Sequence, residues 1–386
     1  MLKDREIIYF ANDYKTDHKV SSHHIANELL KYNKLLYVET GGMRKPRSSS
    51  RDLKRILFRL ASWLKGVRKV EDNLYLYSLI IFPFHQKWAQ RLNTFFNVFI
   101  LHRTIKKHKF KDPILWFIAP HISYLADYFK SKLIVYYCTD NVAQMPEVNS
   151  QAIEKLEEDL LAKANVVFAT SEYLCNRLKQ KGINNSIFYS PHAVDFENFS
   201  RAQDNSLSIP QELKGLDKPV VGYIGLIEKW IDLDLIADIA KKRPQWQIVL
   251  IGRIAASIEA LSSFRNVRCL GIKEFKELPF YLKEFDICIS PFKINELTKS
   301  VNPIKIKEYL ASGKPVVATK LPEMDNFKGY VVTAGSGQDF VEKIEWLLEN
   351  DNGQETKKRM EFVKMDNWHN RVTKISETIE EITNAA

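Results

Sequence analysis

Two α/β domains in tandem, each a parallel sheet covered by helices on both faces, are what the sequence predicts, and three observations predict it. The 386 residues exceed one ordinary domain and suit two of roughly 150–200 residues each. Short runs of Val, Ile, Leu and Tyr alternate with helical stretches, and the runs are apolar throughout, which marks strands buried on both faces. The alternation lapses over residues 201–218, which are polar and rich in Asp, Asn, Ser and Pro, and then begins again.

In the first half, residues 6–10 read as a strand. Ser21 and Ser22 are placed to cap a helix running to Leu30. Residues 34–38 are the next strand, and residues 44–69 interrupt the rhythm. A strand over 74–81 leads to a long helix over 86–107. Strands follow at 114–118 and 133–138, then an acidic amphipathic helix at 153–162 and a strand at 165–169. A helix at 172–181 stops at Gly182, and a short strand at 187–189 closes the half. In the second half, strands are expected at 219–224, 246–251, 267–270, 286–290, 315–319 and briefly at 331–332. Helices are expected at 232–241, 278–284, 303–312, 340–348 and 368–382. The division is thus residues 1–200, a linker over 201–218, residues 219–365, and a final segment over 366–386 expected to pack back on the first domain. Two Rossmann-like domains facing a cleft follow. Open parallel sheets bind ligands beyond the carboxyl ends of their strands, so the cleft is the expected active site.

Composition narrows the function. Hydrophobic residues make up 45% and charged residues 27%, as in a globular chain. The net charge is +10, and all of that excess lies in residues 1–200, which hold 30 Lys/Arg against 20 Asp/Glu. A one-sided basic field points to an anionic partner or simply to a basic solvated surface. Cys138, Cys175, Cys269 and Cys288 are too scattered for a metal pair and read as free thiols of a reducing compartment. No signal-peptide pattern and no run of about 18 apolar residues occurs, so a cytoplasmic location is expected.

The most informative stretch is Asn302-Pro-Ile-Lys-Ile-Lys-Glu-Tyr-Leu-Ala-Ser-Gly-Lys-Pro-Val-Val-Ala-Thr319. Asn302 suits a helix cap and Pro303 the first helical position, while Gly313 suits the stop before a buried strand. The free N–H groups of that helix start form an anion site suited to a diphosphate. Lys305 and Glu308, three apart, share one helix face. The lysine can meet phosphate charge and the carboxylate can accept two hydrogen bonds from a ribose diol. The plainer alternative is a surface ion pair of little consequence.

This stretch resembles the donor-binding signature of the GT-B glycosyltransferases, especially family 4 (glycosyl transferases group 1). Supporting pieces follow in the family's order: Val221-Gly-Tyr-Ile-Gly225, Val249-Leu-Ile-Gly252, Asn266-Val-Arg-Cys-Leu-Gly271 and Phe285-Asp-Ile-Cys-Ile-Ser-Pro-Phe292. The resemblance implies a nucleotide-diphosphate sugar as donor, with no metal and no other cofactor. It implies Gly225 near the diphosphate, the loop of Gly271, Ile272 and Lys273 near the base, Asn302 and Lys305 near the phosphates, and Glu308 on the ribose. The sequence departs from the family in two places. The first of two glutamates seven residues apart is replaced by Ser300, with Glu296 nearby. The usual Arg and Lys after the first glycine loop are missing, leaving Glu228 and Lys229 as the candidates there. The Asn-Pro-x-Lys form also resembles an inverting glucuronosyltransferase group.

An inverting transfer needs a base for the attacking hydroxyl. Asp140 follows the strand at 133–138, where inverting GT-B relatives place one; the alternative is an Asp that shapes a turn with Asn141. His121 follows the strand at 114–118, at the same expected edge. His23 and His24 start the first helix, where His24 is the acceptor-side candidate and capping or packing the alternative. His192 resembles part of a family bend and reads as structural.

Residues 44–69 hold ten Lys/Arg and one acid, Asp52. Leu53, Ile56, Leu57, Leu60, Trp63, Leu64 and Val67 fall on one helical stripe. Flanked by cations such as Arg55 and Lys65, that stripe suits an anionic membrane surface, or else packing on its own domain. The expected acceptor is a lipid-linked saccharide or an envelope glycan. The rivals are a nucleotide-sugar epimerase of the same fold, which needs no such helix, and a non-catalytic nucleotide-sugar-binding protein. Nucleic acid is disfavoured, because no basic-aromatic interleaving extends beyond this one stretch.

Overall fold

The computed structural model describes residues 1–14, 19–41, 63, 65–79, 87–146 and 148–385. The chain divides into two compact units. Unit 1 comprises residues 1–191 and 372–386, and unit 2 residues 192–371.

Among the described residues, unit 1 holds β1 (Glu6–Ala11), α1 (Ser21–Leu30), β2 (Lys34–Glu39), β3 (Arg68–Glu71), β4 (Leu74–Ser78) and α2 (Lys87–Lys107). It continues with β5 (Ile114–Phe117), β6 (Leu133–Cys138), α3 (Ser150–Lys163), β7 (Val166–Ala169), α4 (Glu172–Gln180) and β8 (Ile187–Tyr189). The sheet order is β3-β4-β2-β1-β5-β6-β7-β8. Every pairing is parallel except β3 with β4, whose register shifts between Lys69 and Glu71. The strands at the centre bury nearly every residue because helices cover both faces. Asn149 and Ser171 cap α3 and α4 with side-chain oxygens.

Two readings need correction here. Neither Ser21 nor Ser22 caps α1. The cap is Val20, whose N–H donates to His23 Nδ1 at 3.2 Å. That bond leaves the His23 Nε2 proton for Asp13 O at 2.9 Å, so His23 is a buried structural residue. The helix expected across 44–69 also does not run its full length. Gly66 adopts φ +61° and β3 begins at Arg68, since a left-handed residue ends a helix. Residues 44–62 lie outside the described residues.

Unit 2 holds α5 (Phe196–Ser200), β9 (Val220–Ile224), α6 (Leu233–Lys242), β10 (Gln247–Ile251), β11 (Val267–Cys269), α7 (Leu278–Glu284), β12 (Ile287–Ser290) and α8 (Glu296–Lys299). Then come α9 (Ile304–Ala311), β13 (Val316–Thr319), β14 (Val332–Ala334), α10 (Gly337–Asn350), α11 (Gly353–Lys364) and α12 (Trp368–Ala385), whose last part belongs to unit 1. The sheet is parallel, in the order β11-β10-β9-β12-β13-β14. Successive strand residues serve opposite layers. Val220, Ile224, Val249 and Cys288 join one core, and Val221, Tyr223, Ile248 and Ile289 the other.

Residues 201–218 are not a free linker. Ala202 and Leu213 are buried in the unit 2 core. Gln203 Nε2 donates to Ser312 O at 2.7 Å, and Lys283 Nζ donates to the carbonyls of Asn205 and Leu207 at 2.9 and 2.8 Å. The segment is a strap across unit 2. Its anchors are eleven positions apart, so no periodic signal marks them.

Candidate active site

In unit 2 the strand order reverses between β9 and β12. Two of the expected donor-binding segments leave that sheet's carboxyl edge, after β9 and β11, and the third is the start of α9. After β9 comes Gly225, whose N–H donates to Ile251 O at 2.8 Å. A Cβ on Gly225 would stand 2.5 Å from the Tyr223 hydroxyl, and one on Gly252 would overlap the Gly225 carbonyl. The two strand ends therefore meet backbone to backbone. Leu226 O accepts the Tyr223 hydroxyl proton at 3.1 Å, which fixes the loop's first turn. Glu228 is half-buried and accepts from the Lys229 N–H at 2.9 Å, while Lys229 is exposed.

After β11, Gly271 takes φ +69° and its carbonyl accepts from the Gly252 N–H at 2.8 Å. Ile272 is exposed. The Lys273 ammonium pairs with Glu212 and lies 5.4 Å from the Tyr281 ring centroid, so this lysine is engaged within unit 2.

Helix α9 begins one residue later than expected, with Pro303 as its cap and no side-chain cap bond. Asn302 is not the cap. It is buried, and its Nδ2 donates to Glu323 Oε1 at 2.6 Å while its Oδ1 meets no donor among the described residues. Proline at the cap leaves the N–H groups of the following turn unclaimed by a side chain, the arrangement that serves an anion. Lys305 and Glu308 do share one face, joined at 2.6 Å. Glu308 is 4% exposed, and burial pushes its carboxyl pKa up, outweighing the opposing pull of Lys305. Lys305 retains access to solvent. Ser300 is buried and donates to Leu297 O at 2.6 Å, whereas Glu296 pairs with Lys299 at 2.7 Å on an exposed turn. At the far end of α9, Gly313 takes φ +75°, and its carbonyl accepts from Arg359 Nε at 3.1 Å and a second guanidinium nitrogen at 2.7 Å.

Sequence reasoning overlooked two charged residues here. Glu323, in the turn after β13, is buried and accepts from both Asn302 and Asn326. Lys307 is buried and bonded to Asp366 and to His192 O, and burial pulls its pKa down. A charge beside an apolar run was the only signal available for either.

In unit 1, β1, β5 and β6 are neighbours, so the loops carrying His24, His121 and Asp140 leave one sheet edge. Asp140 is half-buried just past β6. Burial raises its pKa, against a lowering hydrogen bond from Thr139. Its carbonyl accepts from the Val142 N–H at 3.0 Å, so the residue also shapes the turn. His121 opens a 3₁₀ segment after β5, and His24 lies in the first turn of α1; both are half-buried. Of the membrane candidates, Arg55 and Leu60 lie outside the described residues, and Lys65 is exposed. Trp63 does not face outward as the stripe implied. It is half-buried, 6.3 Å from Phe96 in an edge-on contact, and packed on the unit 1 core. Among the described residues, no group of three or more His, Cys, Asp or Glu is placed to hold a metal, and no helix is long and apolar enough to cross a membrane.

Comparison with known proteins bears on this geometry. Residues 218–350 match the model of the family described as glycosyl transferases group 1. A protein of Bacillus subtilis (strain 168), described as the teichuronic acid biosynthesis glycosyltransferase TuaH, is 29% identical over 278 residues. That alignment covers 66% of this chain and 68% of the relative. Among solved structures, the sucrose-phosphate synthase of Thermosynechococcus elongatus superposes with a TM-score of 0.71 at 13% identity, covering 99% of this chain and 100% of that one. Anabaena Alr3699/HepE, solved with UDP and glucose, gives 0.67 at 15% identity, covering 97% and 99%. A match to the group 1 family over most of unit 2, a glycosyltransferase relative along about two thirds of the sequence, and a fold shared from end to end are what this chain has in common with the GT-B glycosyltransferases.

Proposed function

We propose that the chain transfers a sugar from a nucleotide-diphosphate sugar to a lipid-linked saccharide or cell-envelope polysaccharide precursor at the cytoplasmic face of the membrane. The observation that carries the donor half is the buried Glu308 carboxylate, held by Lys305 on the first turns of a helix whose start has no side-chain cap. In this reading Glu308 accepts from the ribose hydroxyls. Lys305 and the α9 N–H groups meet the charge that grows on the departing diphosphate, and Gly225 leaves room for its approach. The loop of Gly271 and Ile272 lies against the base, and Asn302 Oδ1 takes a donor from the bound nucleotide.

In unit 1, Asp140 is the candidate for proton acceptance if configuration inverts, with His121 and His24 on the acceptor side. A carboxyl whose pKa burial has raised is a stronger base than an ordinary Asp. The envelope acceptor is supported by the relationship to a teichuronic acid biosynthesis protein. A thermal-shift screen against UDP-, GDP- and ADP-sugars tests the donor reading. One nucleotide class is expected to raise the melting temperature, and no shift with any of them refutes it.

A further inference from the structure

Helix α2 turns several polar residues inward and several large apolar residues outward. Asn93, Asn97 and Thr104 turn inward and are buried. Asn97 Oδ1 accepts from the Tyr77 hydroxyl at 2.9 Å, and Thr104 Oγ1 donates to Ile100 O at 2.8 Å. Among the outward positions are three large apolar residues: Leu92, Phe95 and Phe99 are 40%, 63% and 49% exposed. Spacings of three and four set them on one stripe. The Phe95 and Phe99 rings lie nearly parallel at 6.3 Å, and the Arg103 guanidinium stands 5.6 Å from the Phe99 ring centroid. Single exposed apolar residues are ordinary, but a row on one helix face over buried asparagines marks a contact surface.

The charge on the helix selects the occupant. The sequence of α2, KWAQRLNTFFNVFILHRTIKK, has five Lys or Arg and no Asp or Glu. Arg91, Arg103 and Lys106 are exposed around the aromatic row. The segment 44–69 has the same sign, with ten Lys/Arg and one acid, so covering this face with it would set cation against cation. A second copy of the helix would do the same. An anionic lipid surface meets both features at once: the rings enter the interfacial layer and the cations meet headgroup phosphate.

We infer that the outer row of α2, Leu92, Phe95 and Phe99 with Arg91, Arg103 and Lys106, is the surface by which unit 1 seats on an anionic membrane. This deepens the membrane part of the proposed function and rests on that part alone. Flotation of the full chain tests it, using vesicles of phosphatidylglycerol and phosphatidylcholine in equal parts and vesicles of phosphatidylcholine only. The wild type is expected to float with the anionic vesicles and to release with salt. Phe95→Ser with Phe99→Ser, and separately Arg91→Glu with Arg103→Glu, are each expected to cut partitioning by about tenfold or more. Both pairs lie on the surface, and unchanged melting curves check that the variants fold. A wild type that stays off anionic vesicles overturns the inference, and so do variants that float like the wild type. A dimer in sedimentation that the Phe variant dissolves also overturns it, because the occupant is then a second copy. Nucleotide affinity is measured on the same samples. A chain that floats but binds no UDP, GDP or ADP refutes the transferase reading and leaves this one standing.

Discussion

Removing the Glu308 carboxylate separates a ribose-binding role from a structural ion pair. Lys305 engages only Oε2, at 2.6 Å, and each carboxylate oxygen accepts through two lone pairs, so the group can still take a diol. A hydrogen bond to a charged group contributes about 1.5–3 kcal/mol. At about 1.4 kcal/mol per tenfold, Glu308→Ala should weaken nucleotide binding roughly tenfold for one lost bond and about a hundredfold or more for two. Lys305 keeps access to water, so losing its partner leaves no buried orphan charge. Burial has raised the Glu308 pKa, so the folded state favours the protonated form. That contribution to stability is complete below the ordinary carboxylate range and is lost as pH rises through the raised value. Glu308→Gln should therefore melt no lower than wild type at neutral pH, with any advantage fading in acid. Calorimetry makes the decisive cycle, titrating wild type and Glu308→Ala with the diphosphate of the matching nucleoside and with its 2′,3′-dideoxy analogue. A direct contact makes the two losses overlap, so the variant no longer distinguishes the ligands. Losses that simply add refute the assignment.

Asp140→Asn keeps the shape but cannot accept a proton. It should lower kcat by at least about 100-fold while nucleotide affinity survives, and near-normal turnover removes Asp140 from the chemistry. Because burial raises its pKa, the acid limb of the wild-type rate profile should lie above the range of a free Asp. Glu323→Ala releases the Asn302 amide beside α9 and should weaken nucleotide binding by about tenfold, with Glu323→Gln restoring most of it in the same titration. Arg359→Ala strips two donors from Gly313 O and leaves Asp351 without its bidentate partner. A loss of about 3 kcal/mol in denaturant unfolding is expected, with nucleotide affinity at saturating folded protein unchanged.

Much of this fold was legible because its strands are short apolar runs whose ends are marked by Gly, Pro or an Asx cap. The strands at 187–189 and the helix at 278–284 fall where the pattern puts them. What escaped notice lacked a period. The strap through Ala202 and Leu213 is held by isolated anchors and by Lys283, 76 and 78 residues from the carbonyls it binds. Helix α11 is polar on most faces, so its apolar stripe is too thin to read. Asn302, Lys305 and Glu308 could be assembled because they share one contiguous stretch. Asn302 was assigned the wrong local job because its partner, Glu323, lies 21 positions on, and no local rule foresees that bond. In α2, counting apolar residues could not show which side would turn inward, because polar and apolar positions are spread around the whole helix.

The last helix carries a consequence for the order in which the protein is made. Val372, Ile375 and Ile379 are buried in unit 1, and the Ser376 hydroxyl reaches the Met1 sulfur at 3.5 Å. Unit 2 is therefore one uninterrupted stretch lying between two parts of unit 1. Residues 192–371 can fold without the closing segment, whereas unit 1 needs it. Domains generally fold as units once their sequence is available. The half of the molecule that is begun first is completed last, and a chain cut after residue 371 would present all of unit 2 joined to a unit 1 with an open, sticky seam.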